Sequence, residues 1–200
     1  AAIYNNIQTA MRCYLSILLF LLLLAPAKAQ PKYEVRAAWV TAVYGLDWPR
    51  TKATTPTAIR RQQEELTDIL DKLKAANFNT ILFQTRTRGD VLYHSSIEPY
   101  NSILTGKVDG DPGYDPLAFA VRECHKRGME CHAWMVAIPL GNKKHVASLG
   151  NKSVTKQRKE ICIPYKNEYF LNPGHPSTKE YLMKLVREVV TRKQCRHGNC

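Results

Sequence analysis

An alternation of short apolar runs with longer amphipathic ones recurs three times between residues 33 and 190, and it constrains the fold more than any other feature. The apolar runs are Tyr33–Val40 (YEVRAAWV), a stretch beginning Thr80-Ile81-Leu82-Phe83, and Met129–Val136 (MECHAWMV). Each has strand length and the β-branched, aromatic or small apolar content that a parallel sheet buries. Each amphipathic run opens on a helix-start signal. Thr55-Pro56 and Asp115-Pro116 place a capping oxygen before a proline at the first helical position. Ser177-x-x-Glu180 reads as a capping box. Apolar stripes follow: Leu66, Ile69, Leu70 and Leu73; Leu117, Val121 and Cys124; Leu182, Leu185, Val186, Val189 and Val190. The other face of the first helix, Glu65 included, reads as solvated surface. Gly128, after Lys126 and Arg127, closes the second helix.

The connections are uneven. They are long after each strand and short after the helices, which suits βαβ crossovers and a parallel sheet. The expected fold class is α/β, and a (β/α)8 TIM barrel is favoured over an open sheet. Such a barrel needs about 250 residues. The 200-residue chain is therefore read as the N-terminal three βα units of a barrel, truncated before strand 4. There is no GxGxxG, no P-loop and no GxSxG, so nucleotide binding and the serine-hydrolase elbow lose their usual support.

The ends read differently from the middle. Met11-Arg12, an apolar core from Leu15 to Leu24, and Ala27-Lys28-Ala29 before Gln30 form a secretory signal peptide over residues 11–29, too short for a membrane span. Residues 1–10 read as upstream translation, residues 30–192 as the partial barrel, and residues 193–200 as an aberrant tail. The expected location is outside the cytoplasm: periplasm, cell surface or medium. No stable membrane span is expected after signal cleavage.

Net charge is +12, and residues 143–200 hold 13 Lys and Arg against 4 Asp and Glu. The basic stretch Lys143–Lys159 lacks the aromatic interleaving of a nucleic-acid platform. No nucleic-acid partner is expected, and a solvated loop or affinity for anionic polysaccharide fits better. Five cysteines follow the signal peptide: Cys124, Cys131, Cys162, Cys195 and Cys200. An odd number without CxxC is no disulfide framework. Cys195, His197 and Cys200 have no recognised zinc spacing, and neither metal nor cofactor is expected.

The chemistry-bearing residues gather where strands should end. Trp39, Asp47 and Trp48 follow the first strand. Aromatic rings there suit stacking on a pyranose face. Gln84, Arg86, Arg88, Asp90, His94 and Glu98 follow the second strand, and a buried strand that ends in polar groups is how α/β folds build sites. His132 and Trp134 share one face of the third strand. Asn172 either orients a ligand hydroxyl or holds its own Asn-Pro-Gly turn.

Four segments in order carry a resemblance: VRAAWVTAVYGLDWP (35–49), ILFQTRTRGDVLYHSSIEPYNSILTGKVDGDPGYDPLAF (81–119), HKRGMECHAWM (125–135) and LNPGHPSTKEYL (171–182). Together they closely resemble glycosyl-hydrolase-like family 10, whose members are secreted (β/α)8 barrel proteins common in bacteria. The resemblance implies a glycoside hydrolase acting on a polysaccharide or oligosaccharide. It also implies a fourth strand ending in acidic residues past Arg192, where this tail departs; a frameshift or gene fragment is the expected account.

Glycoside cleavage uses two carboxyl groups across the scissile bond, one protonated and one ionised. Asp90 and Glu98 are the catalytic candidates at hand, with the principal acid expected in the missing part. Trp39, Asp47, Trp48, Gln84, Arg86, His132, Trp134 and Asn172 are the expected substrate-binding residues. Two alternatives remain. One is a non-catalytic glycan-binding remnant. The other is a metal-dependent carbohydrate hydrolase or deacetylase built on His94, His132 and Asp90. Three units alone leave open strand edges, so an isolated mature chain is expected to be unstable or to aggregate.

Overall fold

A computed structural model describes residues 34–191. The segments read from the sequence as a signal peptide (11–29), as upstream translation (1–10) and as an aberrant tail (193–200) lie outside the described residues. The central sheet has three parallel strands in the order β1 (Ala37–Val40), β2 (Thr80–Arg86) and β3 (Glu130–Met135). Helix α1 (Pro56–Ala75) links β1 to β2, and α2 (Pro116–Lys126) links β2 to β3. Both helices start as expected. Thr55 accepts from the Ala58 amide and Asp115 from the Ala118 amide, each with proline next. After α2, Gly128 takes a left-handed φ of 62°.

The two helices cover one face of the sheet. Val40, Ile81, Phe83 and Cys131 from the strands meet Leu66, Leu70, Leu117, Val121 and Cys124 in one buried core. Cys124 and Cys131, both free and buried, pack in that core as small apolar residues. Register aligns the other face. Trp39 stands beside Leu82, Leu82 beside His132, and Gln84 beside Trp134. On this side Trp39 is 61% exposed, and His132 is also exposed.

The segment after β3 is more structured than its sequence suggested. It forms a second, antiparallel sheet from β4 (Pro139–Asn142), β5 (Cys162–Tyr165) and β6 (Glu168–Leu171), with β6 central. The basic stretch between β4 and β5 is not a plain loop. It contains α3 (Lys143–Ser148) and α4 (Val154–Gln157). Leu140, Val146, Val154, Ile161 and Leu171 pack with Tyr181 and Leu185 of α5 (Pro176–Val190) into a second core.

The last helix differs from expectation in two ways. Its N-cap is His175, whose ring accepts from the Ser177 amide, because Pro176 already occupies the first helical position. Its buried face is Thr178, Tyr181, Leu185 and Val189, whereas Val186 and Val190 are 40% and 51% exposed. The stripe lies about one residue round from the one read in the sequence. Tyr181 and Thr178 are counted polar in a hydropathy pattern but are buried here with their hydroxyls bonded. Among the described residues, no helix is long and apolar enough to cross a membrane.

Candidate functional site

The C-terminal ends of β1, β2 and β3 carry the residues singled out in the sequence, and the structure sorts them into two groups. One group faces inward and braces the fold. The other lines open surface.

Arg86 and Glu98 belong to the first group. The Arg86 Nε donates to Glu98 Oε2 at 2.8 Å and Nη2 to Oε1 at 2.7 Å, with both side chains fully buried. Arg86 also donates to the carbonyls of Val136 and Ala137. Burial alone would lower the Arg86 pKa; the charge and hydrogen bonds of Glu98 outweigh it and raise the pKa above its ordinary value. Tyr181 completes the knot by donating to Glu98 Oε1 at 2.6 Å. Both oxygens of Glu98 are thus committed, and neither is open to a substrate. This corrects the expectation that Glu98 is catalytic and that Arg86 holds ligand: the pair joins β2, the following loop and α5.

Asp90 is also withdrawn from solvent. Its Oδ1 accepts from the Thr87 hydroxyl and from the Arg88 amide at 3.2 Å, and its Oδ2 lies 3.6 Å from His145 Nε2. It closes the turn after β2 and holds His145 of α3. Around it the loop folds back on β2. Leu92 N donates to Thr85 O, Val91 N to Pro99 O, and Val91, Leu92 and Tyr93 are completely buried. Glu188 of α5 fastens the same loop by accepting from the hydroxyls of Ser95 and Ser96 at 2.6 and 2.7 Å.

Three further candidates turn out to be structural. Trp48 is fully buried against Phe83 and donates its indole N–H to the Gln62 carbonyl at 2.8 Å. A single carbonyl partner is what a buried indole needs. Gln84 spends its side-chain oxygen on the amides of Ala42 and Val43, at 2.8 and 2.9 Å, rather than on a ligand. Asn172 accepts from the Gly174 amide at 3.0 Å and so holds its own turn.

The second group is open. Trp39 and Trp134 pack edge to face, centroids 6.4 Å apart at 79°, on the sheet face the helices leave uncovered. Trp39 and Asp47 also line a cleft of about 370 Å³ beside α1. Asp47 is exposed, and its Oδ2 accepts from the Thr41 amide at 2.8 Å. His132 sits 3.0 Å from Glu130 on the same exposed strand face. Among the described residues no three His, Cys, Asp or Glu come together as a metal-binding group, so the alternative built on His94, His132 and Asp90 is not assembled.

The family described as Glycosyl hydrolase-like 10 matches residues 34–195. The chain belongs to that family. It is 32% identical over 165 residues to glycosyl hydrolase YngK of Bacillus subtilis, covering 82% of this chain and 32% of YngK. It is 33% identical over 181 residues to glycosyl hydrolase DigH of Escherichia coli K12, covering 84% of this chain and 41% of DigH. The chain therefore spans 32% to 41% of the length of these relatives. The maltogenic alpha-amylase AmyB of Thermotoga neapolitana superposes with a TM-score of 0.49 at 14% identity, over 78% of this chain and 36% of AmyB, a likeness too faint to carry fold or function.

Several residues that shape the site in this glycosyl hydrolase-like 10 chain escaped the sequence reading. Gln62 is buried in α1, donating to the carbonyls of Thr51 and Leu104 and accepting from the Tyr114 hydroxyl. Glu65 is not mere surface: it accepts from the amides of Arg50 and Thr51 and from the Thr51 hydroxyl at 2.5 Å. Tyr44, Lys52 and His145 meet Arg88 at a second cleft. Only Arg88 was visible beforehand, as part of a charged loop. The others come from separate segments, and nothing in local spacing links them.

Proposed function

We propose that this chain forms the substrate-binding portion of an exported glycoside hydrolase that cleaves O-glycosidic bonds in a polysaccharide or oligosaccharide. In this reading β1 to β3 with their helices are the first three units of a (β/α)8 barrel. The uncovered sheet face becomes the barrel interior, and the strand C-termini become the mouth of the site. Membership of the glycosyl hydrolase-like 10 family supports the reaction class. The observation that carries carbohydrate binding is the edge-to-face Trp39–Trp134 pair, in which Trp39 is largely exposed and shares a cleft with the exposed carboxylate of Asp47.

The hydrolytic carboxyl pair is assigned elsewhere. Glu98 is consumed by Arg86 and Tyr181, and Asp90 by its turn and His145. Asp90 then acts as a positioning residue. The principal acid is supplied by the part of the family fold that these residues do not span. On its own the chain binds glycan without cleaving it, which absorbs the non-catalytic alternative. The signal-like segment at residues 11–29 supports export.

Affinity electrophoresis of the chain in gels cast with soluble polysaccharides tests the proposal, alongside a reducing-sugar assay. Retardation without sugar release, lost in Trp39→Ala and Trp134→Ala, is expected. Retardation unaffected by both changes would remove the aromatic site, and absence of retardation on every glycan would remove the carbohydrate reading.

A further inference from the structure

A cleft of about 320 Å³ lies between the loops that follow β1 and β2 and helix α3. Its chemistry is one-sided. Tyr44 and Lys52 come from the first loop, Arg88, Asn101 and Ser102 from the second, and His145 from α3. Two side chains are cationic, four others carry hydrogen-bond donors, and no carboxylate lines the space.

The cations are poised rather than neutralised. Lys52 gives one hydrogen to the Ile103 carbonyl at 2.7 Å, and an ammonium has three. Burial pushes its pKa down, a cost that a negative charge in the cleft would offset. Arg88 gives Nη1 to the Tyr44 hydroxyl at 2.7 Å and stacks its guanidinium 4.6 Å over that ring. Its Nε is buried and has no hydrogen-bond partner. A buried donor left without a partner is costly, and such groups are rare in native structures.

The frame around the cations is stiff. Gln84 pins the amides of Ala42 and Val43, and Tyr44 follows at a φ of 57°, a left-handed conformation unfavourable for a side-chain residue. Tyr44 is nonetheless 74% exposed, so burial of its ring is not what holds it there. From below, His145 Nε2 donates to the Arg88 carbonyl at 3.0 Å, with Asp90 behind it. Asn101 is fixed by donating to Thr87 and accepting from the Ile103 amide.

We propose that this cleft is an anion subsite that takes the negatively charged substituent, carboxylate or sulfate, of an acidic sugar residue, with Tyr44 offering its ring to the sugar face. Arg88 and Lys52 supply charge-assisted hydrogen bonds. The inference rests on the carbohydrate reading above and narrows it to acidic glycans.

Calorimetric titration of the chain with paired probes tests it. Oligogalacturonate is compared with its full methyl ester, and a sulfated galactan oligosaccharide with its desulfated form. Inorganic sulfate is a third arm. One acid of the two is expected to bind about tenfold more tightly than its neutral partner, the worth of one charge-assisted hydrogen bond. Arg88→Gln and Lys52→Gln, on separate loops, should each abolish that preference while leaving neutral binding and the thermal melt in place. Equal affinity for charged and neutral partners would overturn the subsite while leaving the carbohydrate reading intact. Sulfate binding as tightly as the sulfated sugar would overturn the sugar assignment. No binding of any glycan, charged or neutral, would remove the carbohydrate reading, and the subsite with it.

Discussion

Arg86 and Glu98, twelve positions apart in sequence, meet as a two-pronged ion pair at 2.8 and 2.7 Å with both side chains sealed from water. The pair sits where the central strand ends, and Tyr181 ties it to the last helix. Removing one member leaves the other charge buried and unmatched. Glu98→Ala is expected to destabilise the chain by about 3–5 kcal/mol. Urea unfolding followed by circular dichroism measures this. A catalytic glutamate would behave in the opposite way, with loss of function at unchanged stability.

The same knot sets an alkaline limit. Burial first, and then the negative charge of Glu98, push the Tyr181 hydroxyl well above its ordinary pKa. Burial does the same to Tyr114, with Glu65 adding to it. The folded chain keeps these protons at pH values where an unfolded tyrosine, with a pKa of about 10, has lost them. Above that pH the native state binds more protons than the unfolded one, so stability falls as pH rises. Thermal melts should be flat with respect to these groups below about pH 10 and decline beyond it. Tyr181→Phe and Tyr114→Phe should each flatten the decline, at some loss of stability near neutrality from the missing hydrogen bond.

Gly141 is a position where a single methyl group should be felt at the cationic cleft. Its φ is +90°, and a Cβ there would stand 2.8 Å from His145 Cδ2 and 3.4 Å from Arg88 Cδ. Gly141→Ala should cost roughly 1–2 kcal/mol from backbone strain. It should also drive the His145 ring off the Arg88 carbonyl. Nitrogen chemical shifts of the imidazole report that contact, and a shift pattern unchanged by the substitution would show that the ring is held by other groups.

How much of this was legible beforehand depends on the range of the interaction. The parallel strands and the first two helix starts follow from local pattern, and the structure keeps them, whereas the third start moves from Ser177 to His175. Thr55-Pro56 and Asp115-Pro116 are short-range devices that act within one turn. What failed was non-local. Trp48 and Gln84 look like ligand residues beside a strand end, but each finds a backbone partner: Trp48 the Gln62 carbonyl, and Gln84 the amides of Ala42 and Val43 on the neighbouring strand's loop. The Arg86–Glu98 pair lay inside one quoted stretch, yet its burial depends on Tyr181, 83 residues from Glu98. The second sheet was missed because its strands have four residues each and contain Pro139, Gly141 and Pro164, residues that normally argue against strand.

The three tryptophans separate packing from binding. Trp48 is fully buried and Trp39 is 61% exposed. Trp48→Ala removes a large core ring and is expected to cost about 3–5 kcal/mol. Trp39→Ala should stay within about 0.5 kcal/mol of the parent, as surface changes do. Paired urea curves give both numbers. If Trp39→Ala destabilises as much as Trp48→Ala, the indole pair is a packing device and not a ligand platform.

The sheet edges set the last expectation. Among the described residues β1 and β3 each pair on one side only, with β2 between them. Trp39 and Val35 are exposed on or beside β1, at 61% and 70%, and Val186 and Val190 are exposed on α5. An open parallel edge offers unpaired backbone groups, and apolar side chains next to it make association with another chain favourable. Residues 30–200 alone should therefore self-associate with rising concentration, in a way that added glycan binding at Trp39 reduces. Sedimentation velocity across a concentration series, with and without oligosaccharide, reads this directly. A monomer at every concentration with a single cooperative melt would mean that the edges are protected, and that three strand–helix units with the small antiparallel sheet suffice as an independent fold.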